Sequence, residues 1–128
     1  MKIFATETAL PIVEGKVYAL GGTVEHGGRI SWVPAQAAGF APLNAYVLTE
    51  GKKGLVIDTS LPVLEESIVY QLSALGLEHL AVVLTRPVEF DSMGNAEAIA
   101  ANFPVETFYC QMQFPPADWI YSKSSEIV

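Results

Sequence analysis

Apolar positions along the chain change period several times, and each change predicts an element. Between Ile12 and Leu20 the apolar and β-branched residues Ile12, Val13, Val17, Tyr18 and Leu20 predict strand structure interrupted by a turn at Glu14 and Gly15. Gly21 and Gly22 read as its end. Residues 23–43 are rich in glycine, alanine and proline, with one short strand pattern (Arg29, Ile30, Ser31, Trp32, Val33) and Phe40 near the exit. A long irregular segment in a small domain is more often a functional wall or lid than an idle linker. Two apolar runs, Asn44 to Thr49 and Gly54 to Thr59, flank Glu50, Gly51, Lys52 and Lys53, which is the pattern of a β-hairpin with a short glycine-containing loop.

Leu64, Ile68, Leu72 and Leu75 then recur at helical spacing. Ser60 or a neighbour is placed to cap this helix and Pro62 fits its first turn. Glu65 and Glu66 sit near its positive end, and Gly76 stops it. Leu80 to Thr85 reads as a buried strand, so strand, helix and strand make a right-handed βαβ unit. A second helix is expected from Ser92 or Met93 to Asn102, with Met93, Ala96, Ile99, Ala100 and Phe103 inward and Pro104 ending it. Val105 to Cys110 alternates as a further strand. The tail from Phe114, with Pro115, Pro116, Trp119, Tyr121 and a serine-rich end, carries no periodic pattern and is expected to be irregular.

Length and composition narrow the class. A chain of 128 residues is one domain, residues 1–128, able to bury about two-thirds of its unfolded surface. Its hydrophobic fraction of 51% is on the high side and its charged fraction of 16% well below the usual quarter. With a mean hydropathy of +0.34, the chain has either a large interior or a surface that expects a partner. A net charge of −7, with no basic cluster beyond Lys52 and Lys53, argues against nucleic acid and anionic membranes as partners. Cys110 is the single cysteine, so no intrachain disulfide forms and a cytoplasmic setting is expected. Thr6, Glu7 and Thr8 interrupt any secretion-type apolar stretch, and no run approaches the ~20 residues that span a bilayer.

Chemistry concentrates between the predicted strand ending at Leu84 and the second helix, where an α/β protein keeps its site. The residues are Thr85, Arg86, Pro87, Val88, Glu89, Phe90, Asp91, Ser92, Met93, Gly94 and Asn95. With Asn44, Ala45 and Tyr46 entering a strand, the hairpin at 50–54 and Ile57, Asp58 and Thr59 before the first helix, this order of motifs resembles the metallo-β-lactamase fold superfamily over roughly residues 12–110. The superfamily signature here is T-H-x-H-x-D-H followed by Gly and Gly or Asn. Anchored on Thr85, Arg86 stands at the first histidine. Anchored on Asp91 and Gly94, Glu89 stands at the middle histidine and Ser92 at the last, in a loop one residue longer than the pattern.

The resemblance implies an α/β fold, namely one half of a four-layer αββα sandwich with a mixed sheet and two main helices. It also implies a C-terminal half outside this chain, which would supply further histidine and aspartate ligands. A sheet deprived of that half leaves an apolar face, to be covered by the missing half or by a homodimer partner. Zinc in a catalytic site wants about three protein ligands, preferably imidazole. Arg86 presents only donors and stays cationic, Ser92 is a poor zinc ligand, and Glu89 and Asp91 are two oxygens too few. The expectation is therefore a degenerate, metal-free loop in which the Arg86 guanidinium pairs with Asp91 or Glu89 in bidentate geometry, with no catalytic residue assigned. Asp58, Thr85, Gly94 and Asn95 are expected to support that loop, Asp58 also serving as a helix-capping carboxylate.

The function expected is then non-catalytic or altered, a binding or scaffold role. One alternative is a metal-dependent hydrolase of esters, thioesters or lactams, using Glu89, Asp91 and zinc ligands outside this chain. Another is a flavodiiron-like redox protein with two irons, since glutamate at the middle position has a parallel there. His26 and His79, the only imidazoles, read as an exposed loop residue and a surface residue. Cys110 reads as buried and inert. No G-x-S-x-G, P-loop or G-x-G-x-x-G is present. Trp32 and Phe40 fit local packing better than a substrate wall.

Overall fold

Strand β4 (Phe40–Glu50) is the longest element, and its alternation sets the two faces of the sheet. Leu43, Ala45 and Val47 are buried while Phe40, Tyr46 and Leu48 stay exposed, the period of two that a strand with one covered face requires. The computed structural model describes residues 2–27, 34–86 and 89–110 and the backbone of 126–127. Pro87 and Val88 of the loop, the 29–33 strand pattern with Trp32, and Phe114, Trp119 and Tyr121 of the tail lie outside the described residues.

On one side of β4, strand β3 (Val17–Glu25) pairs antiparallel along its whole length. β1 (Ile3–Phe4) and β2 (Leu10–Val13) divide the outer edge of β3 between them, both antiparallel. On the other side β5 (Lys53–Ile57) closes the expected hairpin through Gly51 and Lys52. The chain then crosses over the sheet. A 3₁₀ turn (Pro62–Leu64) leads into α1 (Glu65–Leu75), and β6 (His79–Leu84) returns parallel to β5. α2 (Phe90–Met93) and α3 (Ala96–Asn102) precede β7 (Val105–Cys110), again parallel, and β8 (Glu126–Ile127) adds a short parallel edge. The sheet is thus mixed, antiparallel at its N-terminal end and parallel from β5 onward.

The core lies between one face of the sheet and the helices. Ile68 and Leu72 of α1 and Ile99 of α3 are buried with Leu20, Val24, Val56, Val82 and Phe108 from the strands. Gly76 ends α1 in the left-handed conformation, φ 61°, as a glycine stop does.

Several sequence expectations give way to long-range contacts. Gly21 and Gly22 do not end β3, which runs on to Glu25. The reason is Gln71, fully buried on α1. Its Oε1 accepts from the Gly21 N–H at 2.7 Å and its Nε2 donates to the Gly21 and Thr6 carbonyls at 2.9 Å each. Gly21 has φ 102°, and a Cβ there would overlap the Leu43 carbonyl, so only glycine lets the strand pass this point. Ser60 does not cap the helix, because its hydroxyl donates to the Leu43 carbonyl at 3.2 Å, and α1 begins without a side-chain cap. The second helix is split in two at Gly94 and Asn95. The end of the tail is not wholly irregular, since Glu126 and Ile127 pair with Thr107 and Phe108.

Candidate functional site

The loops leaving the C-terminal ends of β5 and β6 meet at one point, the position where an open α/β sheet presents ligand-binding groups. Asp58 follows β5 directly and has φ 62°, with Ser60 at φ 61°. Two non-glycine residues in the left-handed region cost of order 1–3 kcal/mol each and persist only where the surroundings hold them. Here the surroundings do. The Asp58 N–H donates to the Val83 carbonyl at 2.9 Å, and the Thr59 N–H and hydroxyl both donate to the Ser92 carbonyl at 2.7 Å. Asn95 completes the clamp: its N–H donates to Thr59 Oγ1 at 2.9 Å, and its Nδ2 to the Thr59 and Leu61 carbonyls at 2.7 and 2.8 Å.

This backbone frame aims the Asp58 carboxylate into the second loop. Thr85 donates to it twice, from its N–H to Oδ1 at 2.8 Å and from its hydroxyl, 2.9 and 2.7 Å from the two oxygens. Ser92, wholly buried, donates its hydroxyl to Asp58 Oδ1 at 2.6 Å and accepts the Arg86 N–H at 3.1 Å. Asp58 is therefore not a helix cap; it receives the hydrogen bonds of the loop. Gly94 lets the two loops close, because a Cβ on it would lie 2.5 Å from the Ser60 carbonyl oxygen and 2.7 Å from Pro62 Cδ.

Arg86 pairs with Asp91, Nη2 to Oδ2 at 2.6 Å. This hydrogen bond to Asp91, with the nearby charges of Asp91, Asp58 and Glu89, raises the guanidinium above its ordinary value. The expected geometry is changed in two respects. A single hydrogen bond joins the pair, and it faces solvent, with side chains 56% and 24% exposed, so its energetic weight is that of a surface ion pair. Glu89 stands at the start of α2, exposed, and lines with Arg86, Asp91, Asn44, Ser60, Leu43 and Pro42 a cavity of about 500 Å³.

A transition metal does not fit this donor set. The Asp58 oxygens are occupied by N–H and hydroxyl donors, Asp91 is held by a cation, and Ser92 commits its hydroxyl to Asp58. Among the described residues no three histidine, cysteine or carboxylate side chains come together. His79 is exposed and pairs with Glu106, Nδ1 to Oε1 at 2.6 Å, on the far end of β6. His26 is half-buried rather than an exposed loop residue, and its ring nitrogens are without a hydrogen-bond partner among the described residues. Cys110 is half-buried, and burial pushes its thiol up from the ordinary value. The roles of Thr59 and Ser60 were missed by sequence reasoning, since the Thr59 bonds to Ser92 and Asn95 and the Ser60 bond to Leu43 all join positions far apart in the chain.

This arrangement of sheet, crossover helix and loops is that of the metallo-β-lactamase fold. No protein-family model matches the chain, and no curated protein matches it. Solved structures do. The chain is similar to the metallo-β-lactamase FIM-1 from Pseudomonas aeruginosa in its mono-zinc form, at TM-score 0.57 and 16% identity, covering 100% of this chain and 51% of that one. It is similar to the rubredoxin oxygen:oxidoreductase of the anaerobe Desulfovibrio gigas, at TM-score 0.55 and 16% identity, covering 80% of this chain and 25% of that one. A metallo-β-lactamase from Erythrobacter litoralis with β-mercaptoethanol in the active site gives TM-score 0.52 and 22% identity, covering 81% of this chain and 43% of that one. These likenesses show the fold, and the chain spans about half or less of each structure. Among the described residues no helix is long and apolar enough to cross a membrane.

Proposed function

We propose that this chain is a metallo-β-lactamase-like binding or scaffold unit whose loop is held by hydrogen bonds, without a hydrolytic metal ion. One observation carries the reading: the buried Ser92 hydroxyl bridges the Asp58 carboxylate and the Arg86 N–H. Sequence resemblance puts a histidine ligand at that position, and a neutral hydroxyl that donates to a carboxylate and already accepts an N–H is a far poorer zinc donor than imidazole. Arg86 adds a fixed positive charge beside Asp91, which repels a divalent ion from the two carboxylates that remain. Together these interactions close the loop in the way a cation otherwise would.

Elemental analysis of the purified full-length protein, expressed with zinc and iron supplied, tests this. The expected content is well below one metal per chain, with unchanged thermal stability in chelator and no hydrolysis of chromogenic ester, thioester or lactam substrates above buffer. Stoichiometric zinc with hydrolysis would establish the hydrolase reading through Glu89 and Asp91 instead. Two irons per chain would establish the flavodiiron-like one.

A further inference from the structure

We draw no further inference here: the strongest candidate, the groove of about 520 Å³ on the outer helical surface where the Pro62–Leu64 turn, α1 and the end of α3 meet, rests on Glu65 and Glu66 at a helix N-terminus beside the exposed Val63 and Tyr70, and nothing in the structure shows what covers it.

Discussion

Replacing Ser92 with alanine removes one oxygen and separates two accounts of what holds the loop. That oxygen is buried, donates to Asp58 Oδ1 at 2.6 Å and accepts from the Arg86 N–H at 3.1 Å. A hydrogen bond to a charged group contributes about 1.5–3 kcal/mol, and an amide left without its acceptor costs about 1 kcal/mol where water can reach it. The sum is about 2.5–4 kcal/mol, or a fall in Tm of about 9–15 °C for a chain of this length. Arg86→Ala removes a pair whose side chains are 56% and 24% exposed, and an ion pair of that kind is worth less than about 1 kcal/mol. Urea unfolding of both variants at pH 7, with a common m-value, gives the two numbers side by side. If Arg86→Ala costs more than Ser92→Ala, or if Ser92→Ala stays within 1 kcal/mol of wild type, the hydroxyl is not what closes the loop.

Gln71→Leu keeps the volume of the side chain but strips partners from the Gly21 N–H and the Gly21 and Thr6 carbonyls. The expected loss is about 3–5 kcal/mol by urea unfolding, with hydrogen exchange quickened in β1 and β3. Gly94→Ala drives a methyl against the Phe90 and Ser60 carbonyls, both 2.5 Å from its Cβ position; a destabilisation of about 1–3 kcal/mol is expected, and a neutral result would mean that the two loops are not closely apposed. Burial raises the Cys110 thiol, so the folded value lies above the unfolded one and the stability linked to it is intact below about pH 8.5 and lost as pH rises through the folded value. Wild type is therefore expected to lose more stability than Cys110→Ser between pH 8 and 10, an ordering readable from urea midpoints.

What was legible in the chain was local. The repeat of Leu64, Ile68, Leu72 and Leu75 with Gly76 specifies α1 and its end, because periodicity and a left-handed stop act over neighbouring positions, while its start falls at Glu65, after a 3₁₀ turn that takes up Pro62. The hairpin of β4 and β5 and the strand β6 follow from alternation in the same way. Failures occurred where a distant side chain decides. Gln71 keeps β3 continuous through two glycines 50 residues away, and at the break in the second helix the Asn95 N–H donates to the Thr59 hydroxyl, 36 positions away. The loop residues were identified by their order and their likeness to a known fold. The bond from Ser92 to Asp58 spans 34 positions and was not readable from either.

The strain at Asp58 and Ser60 connects that bond to function. Two left-handed non-glycine residues at φ 62° and 61° together cost several kcal/mol, and glycine at either position would relieve it. What the strained turn achieves is placement. It turns the Asp58 carboxylate toward Thr85 and Ser92 and turns the Ser60 hydroxyl back onto Leu43 at the mouth of the cavity. The turn therefore holds a carboxylate at the sheet's ligand-presenting end, where the three donors from Thr85 and Ser92 satisfy it without a cation. A loop needed only as a connection would not require that geometry. The turn is thus specified by what Asp58 accepts from Thr85 and Ser92 and by the Ser60 hydroxyl it turns onto Leu43, so each strained position is tied to a distant part of the chain.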